Sequence, residues 1–169
     1  MICGTTGWSP PEELRRAAAE AECGLVVAPN FSIGMQLFYR LVEQAGALFG
    51  SLGQHDPYVW EHHHRTKRDA PSGTARRLAE ILARADPRGY DASKEGGAVV
   101  SVRAGAEPGR HIVGFDSEHD IVRLEHAARG RSGFALGAVL AAEWLDGKTG
   151  YHGLESLVDE ALSRKERSP

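Results

Sequence analysis

The stretch Tyr58-Val59-Trp60-Glu61-His62-His63-His64-Arg65-Thr66-Lys67-Arg68-Asp69-Ala70-Pro71-Ser72-Gly73-Thr74-Ala75 passes from aromatic and β-branched residues, through a polar run, to a serine followed by glycine and threonine. Its start has the content of a β-strand that runs into Glu61 and the histidines. Arg65 to Ser72 is a polar loop. A helix over 73–85 follows, with Leu78, Ala79, Ile81, Leu82 and Ala85 inward and Arg76, Arg77, Glu80 and Arg84 outward. Free backbone N–H groups and the macrodipole make a helix N-terminus favourable for negative charge, so Gly73 and Thr74 form a natural carboxylate site. Glycine admits close approach. Histidine and lysine gathered just before that site can move protons near neutral pH.

Toward the amino terminus, Ser9-Pro10-Pro11-Glu12 matches a capping box, and Leu14, Ala17, Ala18 and Ala21 recur at helical spacing up to a stop at Gly24. Leu25 to Ala28 is a short apolar run of the kind found in parallel sheets. Strand, turn and helix in this order imply that Met1-Ile2-Cys3 is the tail of a strand and that the chain begins inside a fold. Gly4-Thr5-Thr6-Gly7 is a tight turn, and no G-x-G-x-x-G phosphate cradle occurs in the 169 residues. After Pro29-Asn30-Phe31, the residues Ile33, Leu37, Phe38, Leu41, Val42, Ala45, Leu48 and Phe49 define an amphipathic core helix ending at Gly50.

Toward the carboxyl terminus, residues 86–97 are rich in turn formers and are expected as an exposed loop. Strands are expected over 98–103, 111–115 and 121–127, and their short links imply antiparallel neighbours. Ser132 opens a long helix that stops at Gly147, and a terminal helix is expected around 154–162. The expected fold class is α/β (α+β): the remnant of a Rossmann-like parallel sheet, then a mixed, mostly antiparallel sheet covered by helices. The expected division is 1–31 as remnant of a dinucleotide-binding domain, 32–145 as substrate-binding and oligomerisation domain, and 146–169 as a tail returning toward the first.

Lys plus Arg number 20 against 23 Asp plus Glu, a net charge of −3, so no global field draws the chain to nucleic acid or to an anionic membrane. No apolar run reaches the roughly 20 residues of a membrane span, and a cytoplasmic protein is expected. The two cysteines, Cys3 and Cys23, lack C-x-x-C spacing and are expected as buried thiols. Three adjacent histidines in extended chain alternate faces and cannot all ligate one ion, so no metal is expected. Ser72 to Ala75 is on its own most simply a capped helix start, and His55, His111, His119, His126 and His152 taken singly are most simply partly exposed structural histidines. The clustering of His63, His64 and Lys67 directly before an anion-binding helix start shifts that balance.

The run Glu61-x-His63-His64-x-x-Lys67-x-Asp69-x-Pro71-Ser72-Gly73-Thr74-Ala75 resembles the signature of the 4-hydroxy-tetrahydrodipicolinate reductase family, of the diaminopimelate route to lysine. Gly4-Thr5-Thr6-Gly7 and Ala28-Pro29-Asn30-Phe31-Ser32-x-Gly34 resemble the family's nicotinamide-contacting loops, and similarity continues through Val102-Arg103-Ala104-Gly105, the Phe134 helix and the tail. The resemblance implies hydride transfer from NADPH or NADH to a small cyclic dicarboxylate. It implies His63 and Lys67 as the proton-handling residues, and His64, Gly73 and Thr74 as substrate contacts. Gly4, Thr5 and Thr6, with Ala28, Pro29, Asn30 and Phe31, would line the nicotinamide and its ribose. It also implies a homotetramer. The family's amino-terminal glycine-rich turn has no counterpart, which makes a non-catalytic dicarboxylate-binding or oligomerisation module the alternative.

Overall fold

A computed structural model of the chain describes residues 1–5, 10–91 and 99–166. Two compact units divide it, residues 1–36 with 132–169 and residues 37–131. The expected boundaries at 31 and 145 differ from these because the helix over 132–145 packs on the strands of the first unit.

In the first unit, β1 (Ile2–Cys3), β2 (Gly24–Val27) and β7 (Gly150–His152) form an all-parallel sheet in the order β1-β2-β7. Helix α1 (Glu12–Glu20) lies against β7 and β2, and α4 (Ser132–Leu145) lies against β2 and β1. Val26, Ala28, Phe31, Ala141, Leu145 and Leu154 are its core, the last from α5 (Leu154–Glu166). The expected capping serine, Ser9, falls outside the described residues. The helix begins at Glu12 behind an extended Pro11 that makes no side-chain cap.

Gly24 is not the stop of α1. Glu22 takes the left-handed conformation at φ 49°, with its N–H on Ala19 O and the Cys23 N–H on Ala18 O, which is a Schellman closure built without glycine. Gly24 instead opens β2, where a Cβ would come 2.6 Å from the Lys148 carbonyl oxygen and 2.7 Å from the Leu145 side chain. Cys3 is half-buried and Cys23 exposed, so neither is the buried thiol expected.

In the second unit, β3 (Asp56–His63), β4 (Val99–Arg103), β5 (Arg110–Asp116) and β6 (Ile121–Ala127) form a sheet in the order β4-β3-β5-β6. β5 is antiparallel to both β3 and β6, the second as their short link dictates. β4 departs from the expectation: it pairs parallel to β3 and does not touch β5 in the ladder. The reason is α3 (Gly73–Ala85), which carries the chain from the end of β3 back to its start, so the next strand can only run parallel.

α3 buries Ala75, Leu78, Ala79, Ile81 and Leu82. In α2 (Ile33–Leu52) the buried line is Met35, Phe38 and Val42, while Leu37, Leu41 and Leu48, expected in the core, are exposed. Asp86 and Tyr90, expected in an exposed loop, are buried. The Asp86 carboxylate accepts from the Arg88 backbone and guanidinium and ties that turn down. Residues 92–98 of the same loop lie outside the described residues.

Candidate active site

Strand alternation puts Val59, Glu61 and His63 on the covered face of the four-stranded sheet and Trp60 and His62 on the other. The ladder register sets Ser101 of β4, Glu61 of β3, His111 of β5 and His126 of β6 in one row across that covered face, with Arg103 opposite His63. A polar row across an otherwise apolar face is expensive to bury unless its members satisfy one another.

Glu61 does most of that. It is fully buried, and its Oε1 accepts from Ser101 Oγ at 2.6 Å, Arg103 Nη2 at 2.7 Å and the Ser72 backbone N–H at 2.9 Å. Its Oε2 lies 3.1 Å from His63 Nδ1 and 3.7 Å from His111 Nε2, without hydrogen-bond alignment to either. Burial opposes the charge, but the His63 ring and the donors of Ser101, Ser72 and Arg103 outweigh it and hold the carboxyl well below its ordinary value. His111 is lowered too, but in favour of its neutral form: burial, reinforced by the neighbouring His63, pushes it down to about 3. The His63 and His111 rings meet edge to face at 5.1 Å.

Both shifts act on stability with the same sign. A carboxyl lowered from 4.5 and an imidazole lowered from 6.5 favour the folded state only while deprotonated. Stability is therefore complete above about pH 6.5 and falls on acidification toward pH 3, as the unfolded chain gains protons the folded one refuses. Thermal melts between those limits should show a falling Tm, and a His111→Phe variant should flatten the upper part of that fall.

Beyond His63 the chain leaves the sheet. His64 donates its backbone N–H to Glu107 O at 2.8 Å and sets its Nδ1 2.7 Å from Thr66 Oγ1; Lys67 Nζ donates to Asp69 Oδ1 at 2.7 Å. Arg103 Nη2 also donates to Asp69 O at 2.6 Å, which anchors the Lys67-bearing loop to the sheet. Ser72 then caps α3, its Oγ accepting from Ala75 N at 3.1 Å and lying 3.4 Å from His111 Nε2. Gly73 is exposed, and a Cβ there would meet nothing within 4 Å, so the helix N-terminus is open to a ligand. Thr74 is engaged with the Tyr39 hydroxyl.

His63, His64, Lys67, Gly73 and Thr74 thus leave the same end of β3 or open the helix that follows. Glu61, Arg103, His111, Ser101 and Tyr39 were given no role from sequence, and His111 is buried rather than partly exposed. Alternation along 110–116, taken with the antiparallel pairing to β3, was the signal that would have put His111 beside Glu61. Glu61, His63 and His111 offer ligand atoms within 4.8 Å of one another, the one such group among the described residues. The guanidinium already on Glu61 supplies the positive charge a cation would bring, which favours a proton-handling cluster over a metal centre.

In the first unit, Gly4, Thr5 and Ala28 to Phe31 follow the carboxyl ends of β1 and β2, where open α/β sheets bind ligands. The Ala28 N–H bonds Cys3 O at 3.1 Å and the Phe31 ring lies against Gly4. Asn30 Oδ1 accepts from Ser32 N, and Ser32 Oγ accepts from Met35 N, so this turn leads directly into α2. Thr6 lies outside the described residues.

Residues 34–158 match the family description "Dihydrodipicolinate reductase, C-terminus". The chain belongs to this family. It is 34% identical over 173 residues to the 4-hydroxy-tetrahydrodipicolinate reductase of Archaeoglobus fulgidus, covering 94% of this chain and 66% of the relative. With the enzyme of that name from Methanosarcina barkeri it shares 37% over 155 residues, covering 86% and 58%. A dipicolinate-bound dihydrodipicolinate reductase from Paenisporosarcina sp. TG-14 has the same fold, with TM-score 0.72 and 28% identity over 92% of this chain and 63% of that one. The α/β architecture is therefore that of a dihydrodipicolinate reductase. The chain spans about two thirds or less of the length of these relatives. Among the described residues no helix is long and apolar enough to cross a membrane.

Proposed function

We propose that this chain carries the substrate-side chemistry of 4-hydroxy-tetrahydrodipicolinate reduction in the diaminopimelate route to lysine, with NADPH or NADH as hydride donor and a small cyclic dicarboxylate as substrate. The observation that supports it best is the open, serine-capped N-terminus of α3 placed directly after the cationic loop of a reductase-family chain. The N–H groups at Gly73 and Thr74 hold one carboxylate, and His64 contacts the ring substituents. Lys67 gives up its bond to Asp69 and donates a proton toward the substrate nitrogen; His63 takes or gives the second proton.

The turn formed by Gly4 and Thr5 with Ala28, Pro29, Asn30 and Phe31 suits the nicotinamide end of the cofactor, which supplies a hydride when bound. The strand ends provide backbone amides and a glycine at the crevice position. Soluble, cytoplasmic action without nucleic acid or membrane partners accords with the net charge of −3.

Calorimetric titration with pyridine-2,6-dicarboxylate and with NADPH tests the proposal. Binding of both is expected; binding of the first alone identifies a non-catalytic dicarboxylate module, and failure to bind the first removes the proposal. Gly73→Val should keep the Tm, because its Cβ enters open space, yet weaken dicarboxylate binding at least about tenfold, because that space is the ligand's. Unchanged binding in this variant would move the carboxylate site elsewhere.

A homotetramer built through the four-stranded sheet is part of the same reading. On the outer face Val100, Trp60 and Ile112 form one apolar cross-strand row, with Val100 exposed and β6 at the sheet edge. Light scattering that finds a monomer at micromolar concentration would contradict it.

A further inference from the structure

We infer that Glu61 is the positioning residue of the site: one carboxylate oxygen fixes the backbone that opens α3, and the other fixes the His63 imidazole with its proton on Nδ1, leaving Nε2 to exchange protons. The inference rests on the proposed role of His63 and names the group that sets its orientation.

The two oxygens have different tasks. Oε1 is saturated by three donors from three elements, the Ser72 backbone, Ser101 and Arg103, so the carboxylate cannot turn. Oε2 is thereby fixed in place, buried, and without an aligned hydrogen bond among the described residues. Its nearest donor is His63 Nδ1 at 3.1 Å, whose atom is likewise buried and without an aligned partner. Two neighbouring unsatisfied atoms, a carboxylate oxygen and a ring nitrogen, are resolved by a proton on the nitrogen, because a bare ring nitrogen there would set lone pair against lone pair.

The second candidate for Oε2 is His111, at 3.7 Å. Its Nε2 also faces Ser72 Oγ at 3.4 Å, and it stays neutral, so it brings no cation to compete with His63. The charged or titratable groups around the His63–His111 pair are Glu61 on β3, Arg103 opposite His63 on β4, His126 beside His111 on β6, and Lys67 from the loop. Arg103 is committed to Glu61 and to Asp69 O, which leaves His63 as the partner whose charge Glu61 can stabilise when the ring takes a second proton. The far nitrogen is kept clear by Gly109, where a Cβ would stand 3.0 Å from His63 Nε2.

The same carboxylate therefore ties the proton-transfer imidazole to the helix end that receives the anion. Loss of Glu61 should disturb both, through different oxygens. Glutamine separates them, because its carbonyl can keep the three donors on the Oε1 side while its amide N–H₂ turns a donor toward His63 Nδ1.

The test is a long-range proton–nitrogen correlation spectrum of the chain carrying ¹⁵N-histidine, with no substrate or cofactor added, and with His63 assigned by its loss in His63→Gln. At alkaline pH the neutral ring is expected as the Nδ1–H tautomer. In Glu61→Gln it should switch to Nε2–H. An Nε2–H tautomer in the unaltered protein overturns the inference, and so does a Glu61→Gln variant in which the tautomer is unchanged. If Glu61→Gln does not fold, the unaltered protein's tautomer decides alone. Because the readout needs neither ligand nor turnover, it is independent of the calorimetric test: loss of dicarboxylate binding removes the reductase reading and leaves the Glu61–His63 pairing in place.

Discussion

Alanine at His63 or at Lys67 should lower kcat by about 10²–10⁴-fold, with a much smaller change in KM, in a fusion that supplies the remaining length of the relatives and turns over NADPH and substrate. General acid–base groups act in the transition state more than in the ground state, so their removal is felt in the rate. His62 is the internal control. It sits on the opposite face of β3, its Nε2 3.0 Å from Ala104 O and its ring 5.9 Å from the Trp60 ring centroid, and His62→Ala should keep kcat within a few-fold. If His62→Ala matched the loss in His63→Ala while Lys67→Ala retained full kcat, the roles would be assigned to the wrong residues. Asp69→Asn is informative in the opposite direction, since it frees the Lys67 ammonium from the bond it must surrender to reach a substrate.

Gly137→Ala should be among the most damaging single methyl additions in the first unit. Gly137 is the buried point where α4 lies against the chain before α2, and an added Cβ would overlap the Phe31 carbonyl oxygen itself. Backbone cannot step aside as a side-chain tip can, so the cost lies at or beyond the upper end of overpacking, about 3 kcal/mol. A Tm lower by roughly 6–12 °C is the expected reading for a chain of this size. NADPH binding should weaken with it, because Phe31 closes the turn proposed to hold the nicotinamide. A variant with unchanged Tm would mean that α4 does not approach Phe31 as described.

What could be read from sequence followed from local rules, and what could not depended on partners far along the chain. The strand into His63, the loop, and the helix from Gly73 to Ala85 were all legible, because alternation, turn chemistry and capping are set by residues a few positions apart. The pairing of β4 was not, since link length to β5 suggested a hairpin while the helix between β3 and β4 imposed a parallel neighbour. β7 escaped notice because three residues, Gly150 to His152, carry too little pattern; only β2 beside them makes them a strand. In the site, His63, Lys67 and Gly73 were visible through their clustering. Arg103 and His111 are 42 and 50 residues from Glu61, and only sheet register brings the three together.

The polar row Ser101, Glu61, His111 and His126 also has a meaning for folding. Sliding β4 along β3 by one position would set Val100 or Val102 opposite Glu61 and turn Ser101 and Arg103 to the outer face. Such a shift strips the buried carboxylate of two of its three donors, and a buried charge left uncompensated in that way costs about 3–5 kcal/mol. An all-apolar face would tolerate such slips far better, because one valine opposite another is much like the next. The residues that hold Glu61 thus double as a proofreading code for strand alignment: a chain that misaligns its sheet is penalised at the very carboxylate proposed to position His63.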